Sequence, residues 1–157
     1  MSLPPFQRLL DAYRTDVMRF LVASVGAVDA DDCFQETFLA ALRTYPRLRD
    51  GSNLKGWLLT IAHRKAIDHH RTGARQRTLT RRLPAAGTAM NPDRDTAVWE
   101  PVRRLPPKQR TAIVYRYAND LPYAEIGRLL ECSEEAARQN VHEGLKTIRE
   151  NWNGSAD

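Results

Sequence analysis

Apolar residues in this 157-residue chain recur every three or four positions along most of its length, and no stretch carries the signals of a β-strand. The first stripe is Phe6, Leu9, Leu10, Tyr13, Val17, Phe20 and Leu21; the last is Ala137, Val141, Leu145, Ile148 and Trp152. A helix returns to the same face every 3.6 residues, so this spacing buries one side of each helix and leaves the other in water. The expected fold is all-α.

Punctuation divides the chain into helices. Gly26 ends the first, and Asp29 is the expected N-cap of the second, with Asp31 and Asp32 in its first turn, where the helix dipole favours negative charge. The second helix is expected to bury Phe34, Phe38, Ala41, Leu42 and Tyr45 and to stop at Pro46. A polar loop, Arg47 to Asn53, leads to a third helix from about Leu54 to Arg71, with Leu54, Trp57, Leu58, Ile61 and Ala62 inward.

Residues 73–98 hold two glycines and two prolines and no sustained apolar period, which reads as a linker, flexible at least in part. Periodicity returns at Trp99. A helix over 108–118 follows Pro106 and Pro107, and another starts at Pro122. After a turn at Glu131 and Cys132, Ser133 caps a long last helix with Glu134 and Glu135 in its first turn. The expected organisation is two small helical domains, 1–72 and 99–152, with the linker between them and a tail over 153–157.

Charge narrows the partners. The formal net charge is +5, and its excess lies in the middle: residues 51–98 hold nine basic and three acidic side chains, while residues 99–157 hold nine of each. A cationic stretch favours anionic partners such as nucleic acid. Cys33 and Cys132 form no CxxC pair, which suggests neither a disulfide framework nor a zinc site and fits a reducing compartment. No signal peptide is visible, and no apolar run approaches the roughly 20 residues that span a membrane. The expected location is the cytoplasm, with no membrane partner. His63, His69 and His70 lack a Cys or Glu at ligand spacing, so no metal and no cofactor is expected. No nucleophile elbow, phosphate-cradling loop or paired carboxylate argues for an enzyme.

Three faces stand out. On the second helix, Asp32, Gln35, Glu36, Leu39 and Arg43 lie opposite the core stripe, either as a solvated face or as a polar docking surface around one apolar anchor. On the third, Arg64, Arg71 and Arg75 fall near one line, with Lys55 and Lys65 nearby. Trp57 there reads either as core or as a ring that stacks an unpaired base. The segment LPYAEIGRLLECSEEAARQNVHEGLKTI has the layout of a helix-turn-helix whose outer face carries Arg138, Gln139, His142, Glu143, Lys146 and Arg149. Arg and Gln there can read base edges in a major groove, whereas Glu143 meets phosphate repulsion unless a cytosine donates to it.

Two stretches together resemble one family. DADDCFQETFLAALRTYPRLRDGSNLKGWLLTIAHRKAIDHHR is similar to region 2 of the extracytoplasmic-function sigma factors of the sigma-70 family, and LPPKQRTAIVYRYANDLPYAEIGRLLECSEEAARQNVHEGLKTIR is similar to their region 4. The resemblance implies a promoter-specificity subunit that binds core RNA polymerase at the β′ clamp helices and the β flap. It implies that Asp32, Gln35, Glu36, Leu39 and Arg43 dock on polymerase. It further implies that Arg47, Ser52, Asn53, Lys55, Trp57, Arg64 and Arg71 serve the minus-ten element. Arg138, Gln139, His142 and Lys146 would serve the minus-thirty-five element, and an anti-sigma factor is a further implied partner. The sequence departs from the family where Asn140 and Glu143 stand at positions often held by arginine, and where Pro122 replaces a frequent serine cap.

Two other readings use the same features. One is a helix-turn-helix DNA-binding regulator that needs no polymerase docking; the other is a degenerate sigma-like protein that occupies a partner without starting transcription.

Overall fold

In a computed structural model, residues 3–49, 53–77 and 92–154 are described, with only the backbone given for 73–77, 92–96 and 154. The described residues form seven α-helices and no strand: α1 (Phe6–Val25), α2 (Ala27–Thr44), α3 (Leu54–Arg77), α4 (Pro92–Arg103), α5 (Pro107–Tyr117), α6 (Tyr123–Leu129) and α7 (Glu134–Gly154).

The first two helices meet at Gly26, whose φ of 92° lies in the left-handed region that glycine adopts without steric cost. Its N–H closes α1 on the Val22 carbonyl, and α2 begins at the next residue. Asp29 is therefore not the N-cap that the sequence predicts. It sits inside the first turn, where it still suits the dipole and meets His69 Nε2 at 3.2 Å. A 3₁₀ turn, Tyr45–Arg47, follows α2 and contains Pro46. The Tyr45 hydroxyl donates to the Pro4 carbonyl, and Phe6 packs edge-on against the rings of Tyr45 and Phe38.

Helices α1, α2 and α3 bury Leu9, Val17, Phe20, Leu21, Cys33, Phe38, Ala41, Leu58, Leu59 and Ala62 between them. Leu42 departs from expectation at 50% exposed: α2 buries Phe38 and Ala41, and one residue further the helix has turned about 100° away. Helix α3 continues to Arg77, past the expected end at Arg71, and α4 starts at Pro92, so both enter the span expected as linker. Residues 78–91 of that span, like the end of the tail at 155–157, lie outside the described residues.

Helices α5, α6 and α7 form the second group around Ile113, Val114, Leu121, Ile126, Ala137 and Val141. The turn from α6 to α7 is tight: a Cβ on Gly127 would lie 2.7 Å from the Cys132 carbonyl oxygen, which only glycine permits. The Cys132 N–H closes this turn on the Gly127 carbonyl at 2.8 Å. Ser133 Oγ accepts the Ala136 N–H at 3.0 Å, the cap that the sequence predicts. Trp152, expected on the packed stripe, is 72% exposed because the end of α7 outruns the helices that cover it.

The two groups share one core. The Tyr115 ring of α5 stacks on Phe20 of α1 with centroids 5.0 Å apart, and its hydroxyl donates to the Leu59 carbonyl of α3 at 3.0 Å. Burial pushes that hydroxyl far above its usual range, so it remains a donor at any physiological pH. Asn119 Nδ2 donates to the Asp16 carbonyl at 2.8 Å, and Arg103 Nη2 to the Val22 carbonyl at 2.9 Å.

Candidate functional site

Asp32, Gln35, Glu36, Leu39 and Arg43 all lie on α2 and are all exposed. Leu39 is 54% exposed, and two apolar side chains missed by the sequence reading join it, Val28 at 53% and Leu42 at 50%. Steps of three and four residues run from Val28 through Asp32, Gln35 and Leu39 to Leu42, so these side chains share one stripe. The signal was available in the seven-residue spacing of Val28, Gln35 and Leu42. Three large apolar side chains held in water among carboxylates and amides make a surface suited to a covering helix. Directly beneath, burial and then the carboxylates of Glu36, Asp29 and Asp32 push the Cys33 thiol up to about 12, so it is protonated and packs as a small apolar group.

The residues singled out around α3 do not form one surface. Trp57, Arg64 and Arg71 recur at seven-residue steps along one side; both arginines are exposed. Trp57 is half-buried, packed on the core and lying 6.1 Å from the Tyr45 ring in the 3₁₀ turn that also holds exposed Arg47. Partly buried against the core, it stands between the two sequence readings. Lys55 lies on the opposite side of the helix, with Nζ 3.9 Å from Asp16 of α1. Asn53 turns to the second group: its Nδ2 donates to Glu125 Oε1 of α6 at 2.7 Å, and its Oδ1 accepts the Gly56 N–H at 3.1 Å. Ser52 and the Arg75 side chain lie outside the described residues.

Farther along α3, His63 packs beside the stacked rings of Phe20 and Tyr115, with Nδ1 3.4 Å from the Thr111 hydroxyl. Burial, then the positive charges of Arg110 and Arg64, lower its pKa, so it is neutral in this contact between the groups.

On α7, Arg138, Gln139, His142 and Lys146 are exposed, on the outer face where the sequence places them. Two of them are engaged by carboxylates of their own helix. Arg138 meets Glu134 at 3.3 Å and Glu135 at 4.0 Å, and its guanidinium lies 5.0 Å from the Tyr123 ring centre. Gln139 Nε2 donates to Glu143 Oε1 at 2.9 Å. These contacts hold the two side chains best suited to read bases along the helix surface.

Among the described residues no group of three or more His, Cys, Asp and Glu side chains is placed to hold a metal ion, and no helix is long and apolar enough to cross a membrane.

Residues 9–76 match the family Sigma-70 region 2, and residues 96–148 match Sigma-70, region 4. The RNA polymerase sigma factor CarQ of Myxococcus xanthus is 32% identical over 154 residues, covering 92% of this chain and 87% of that protein. The ECF RNA polymerase sigma factor BldN of Streptomyces coelicolor is 29% identical over 154 residues; the match takes in 91% of this chain but 58% of BldN's length. Among solved structures, the sigma factor RpoE of Bartonella quintana, in complex with the anti-sigma factor NepR, superposes with a TM-score of 0.73 over 92% of this chain and 94% of that one. Its sequence identity is 20%, so that likeness speaks for the fold.

Proposed function

The chain belongs to the extracytoplasmic-function sigma factors of the sigma-70 family, and we propose on that premise that it binds core RNA polymerase and directs promoter-specific transcription initiation. The observation that carries this reading is the α2 stripe, where Leu39 and Leu42 stay half-exposed beside Asp32, Gln35 and Glu36. It has the composition of a docking surface for the β′ clamp helices: apolar anchors to exclude water, and carboxylates to steer a basic partner.

Minus-ten recognition falls to the line Trp57, Arg64 and Arg71 with Arg47, which offers one partly buried aromatic ring and three exposed cations to a melted strand. Asn53 and Lys55 join it only when the contacts to Glu125 and Asp16 open. Ser52 completes the set by family position. Arg138, Gln139, His142 and Lys146 face the minus-thirty-five element. Core polymerase, including its β flap, promoter DNA and an anti-sigma factor are the partners, in the cytoplasm, and the work is binding and strand capture rather than catalysis.

One observation favours a second reading. With Arg138 and Gln139 engaged by Glu134 and Glu143, the helix-turn-helix holds duplex DNA weakly, as in a sigma-like protein that occupies polymerase without starting transcription. Titration of labelled core polymerase with the full chain tests the main reading. Saturable binding lost in an Asp32→Ala/Glu36→Ala/Leu39→Ala variant of unchanged helicity is expected, and absence of binding by the parent chain contradicts it.

A further inference from the structure

Helices α1 and α2 face α4 and α5 across a cleft of about 690 Å³. Met18 and Phe34 line it from α1 and α2, Trp99 from α4 and Tyr117 from α5, and Arg14 and Arg19 stand on α1 in the same lining. Both arginines are exposed, and neither makes an ion pair or hydrogen bond with any described residue. Among the described residues no carboxylate lines the cleft.

Two uncompensated guanidiniums beside three aromatic rings suit one kind of ligand. Its acidic head would accept charge-assisted hydrogen bonds from the arginines, and its apolar body would cover the rings. The volume lies within the roughly 300–1,000 Å³ of small-molecule sites, and the lining of this half-open cleft is drawn from four helices.

We propose that this cleft binds a small amphipathic organic anion, a carboxylate or phosphate ester with an acyl or aromatic body, and that its occupancy locks the two helical groups together. Such a ligand touches α1 and α2 on one side and α4 and α5 on the other, so it binds only when they are packed. It stabilises that arrangement by mass action. The locking has a consequence that rests on the function proposed above: the packed arrangement holds Asn53 on Glu125, so occupancy lowers promoter-dependent transcription.

Calorimetric titration of the full chain alone tests the site, with 1-naphthyl phosphate and decanoate as anionic probes and 1-naphthol as the neutral control. One-to-one saturation is expected for at least one anion, identifying an aromatic phosphate or an acyl carboxylate as the better body and head. Binding of 1-naphthol, and of the anion to Arg14→Gln/Arg19→Gln, is expected to be weaker by about tenfold or more. A Tyr117→Ser variant is expected to weaken both anion and naphthol. The bound anion is expected to raise the melting temperature of the parent chain and not that of the arginine variant. Absence of saturation by either anion, equal affinity for 1-naphthol, or unchanged binding by the double variant overturns the site. Binding with no change in melting temperature overturns the locking. Because no polymerase is present, neither outcome depends on the proposed function.

Discussion

The Asn53 side-chain amide donates to the Glu125 carboxylate at 2.7 Å, joining the start of α3 to the first helix of the helix-turn-helix across 72 residues of sequence. Glu125 also receives Arg128 at 3.1 Å, so its carboxylate is shared between a local partner and a distant one. A residue proposed to meet the minus-ten element is thereby occupied by the other half of the chain.

Replacing Glu125 with Ala frees Asn53 at small cost to the fold, since an exposed contact of this kind contributes about 0–1 kcal/mol. The free variant is expected to bind a single-stranded minus-ten oligonucleotide more tightly than the parent by fluorescence anisotropy. Equal affinity contradicts the assignment of Asn53.

Glu143→Ala releases Gln139 and removes a carboxylate from the face proposed to meet DNA. Duplex binding is expected to strengthen about two- to tenfold at low salt, and the gain shrinks as salt rises because much of it is relief of phosphate repulsion. A salt series of the variant against the parent checks both parts.

Tyr115→Phe keeps the stack on Phe20 and deletes only the bond to the Leu59 carbonyl, an oxygen inside α3 that keeps its own helical partner. The expected loss is therefore that of one ordinary hydrogen bond, about 0.5–1.5 kcal/mol in urea unfolding. A loss of several kcal/mol would contradict this account of the bond.

His63 gives the chain a pH dependence of definite sign. Burial and the charges of Arg110 and Arg64 lower its folded pKa, so the unfolded chain binds the proton more readily. The stabilising contribution is complete above the ordinary value of about 6.5 and is lost as pH falls below it. His63→Gln should flatten the melting temperature between pH 7.5 and 5 relative to the parent. An unchanged slope assigns the acid sensitivity elsewhere.

Much of this was legible in the chain itself. The stripes of α1 and α7, the turn after Leu130 and the Ser133 cap follow from period and cap chemistry, which act within a few residues. Asp29 was misplaced because Gly26 supplies a left-handed turn that lets α2 start without a polar cap. Leu42 and Trp152 look apolar enough for a core, but the first points away from it and the second lies beyond its cover. The contacts between the groups had no periodic signature. Asn119 reaches Asp16 across 103 residues, and nothing local to either residue announces the other. The exposed face of α2 was readable as a pattern, whereas the pairing of Arg138 and Gln139 with neighbouring carboxylates needed side-chain positions.

The central claim is that this chain programs polymerase. The most direct measurement is transcription of genomic DNA fragments by core polymerase with and without the chain, read as sequenced transcript 5′ ends. Chain-dependent starts that share common upstream sequence and disappear with Asp32→Ala/Glu36→Ala/Leu39→Ala are expected. Identical start sites with and without the chain would contradict the claim.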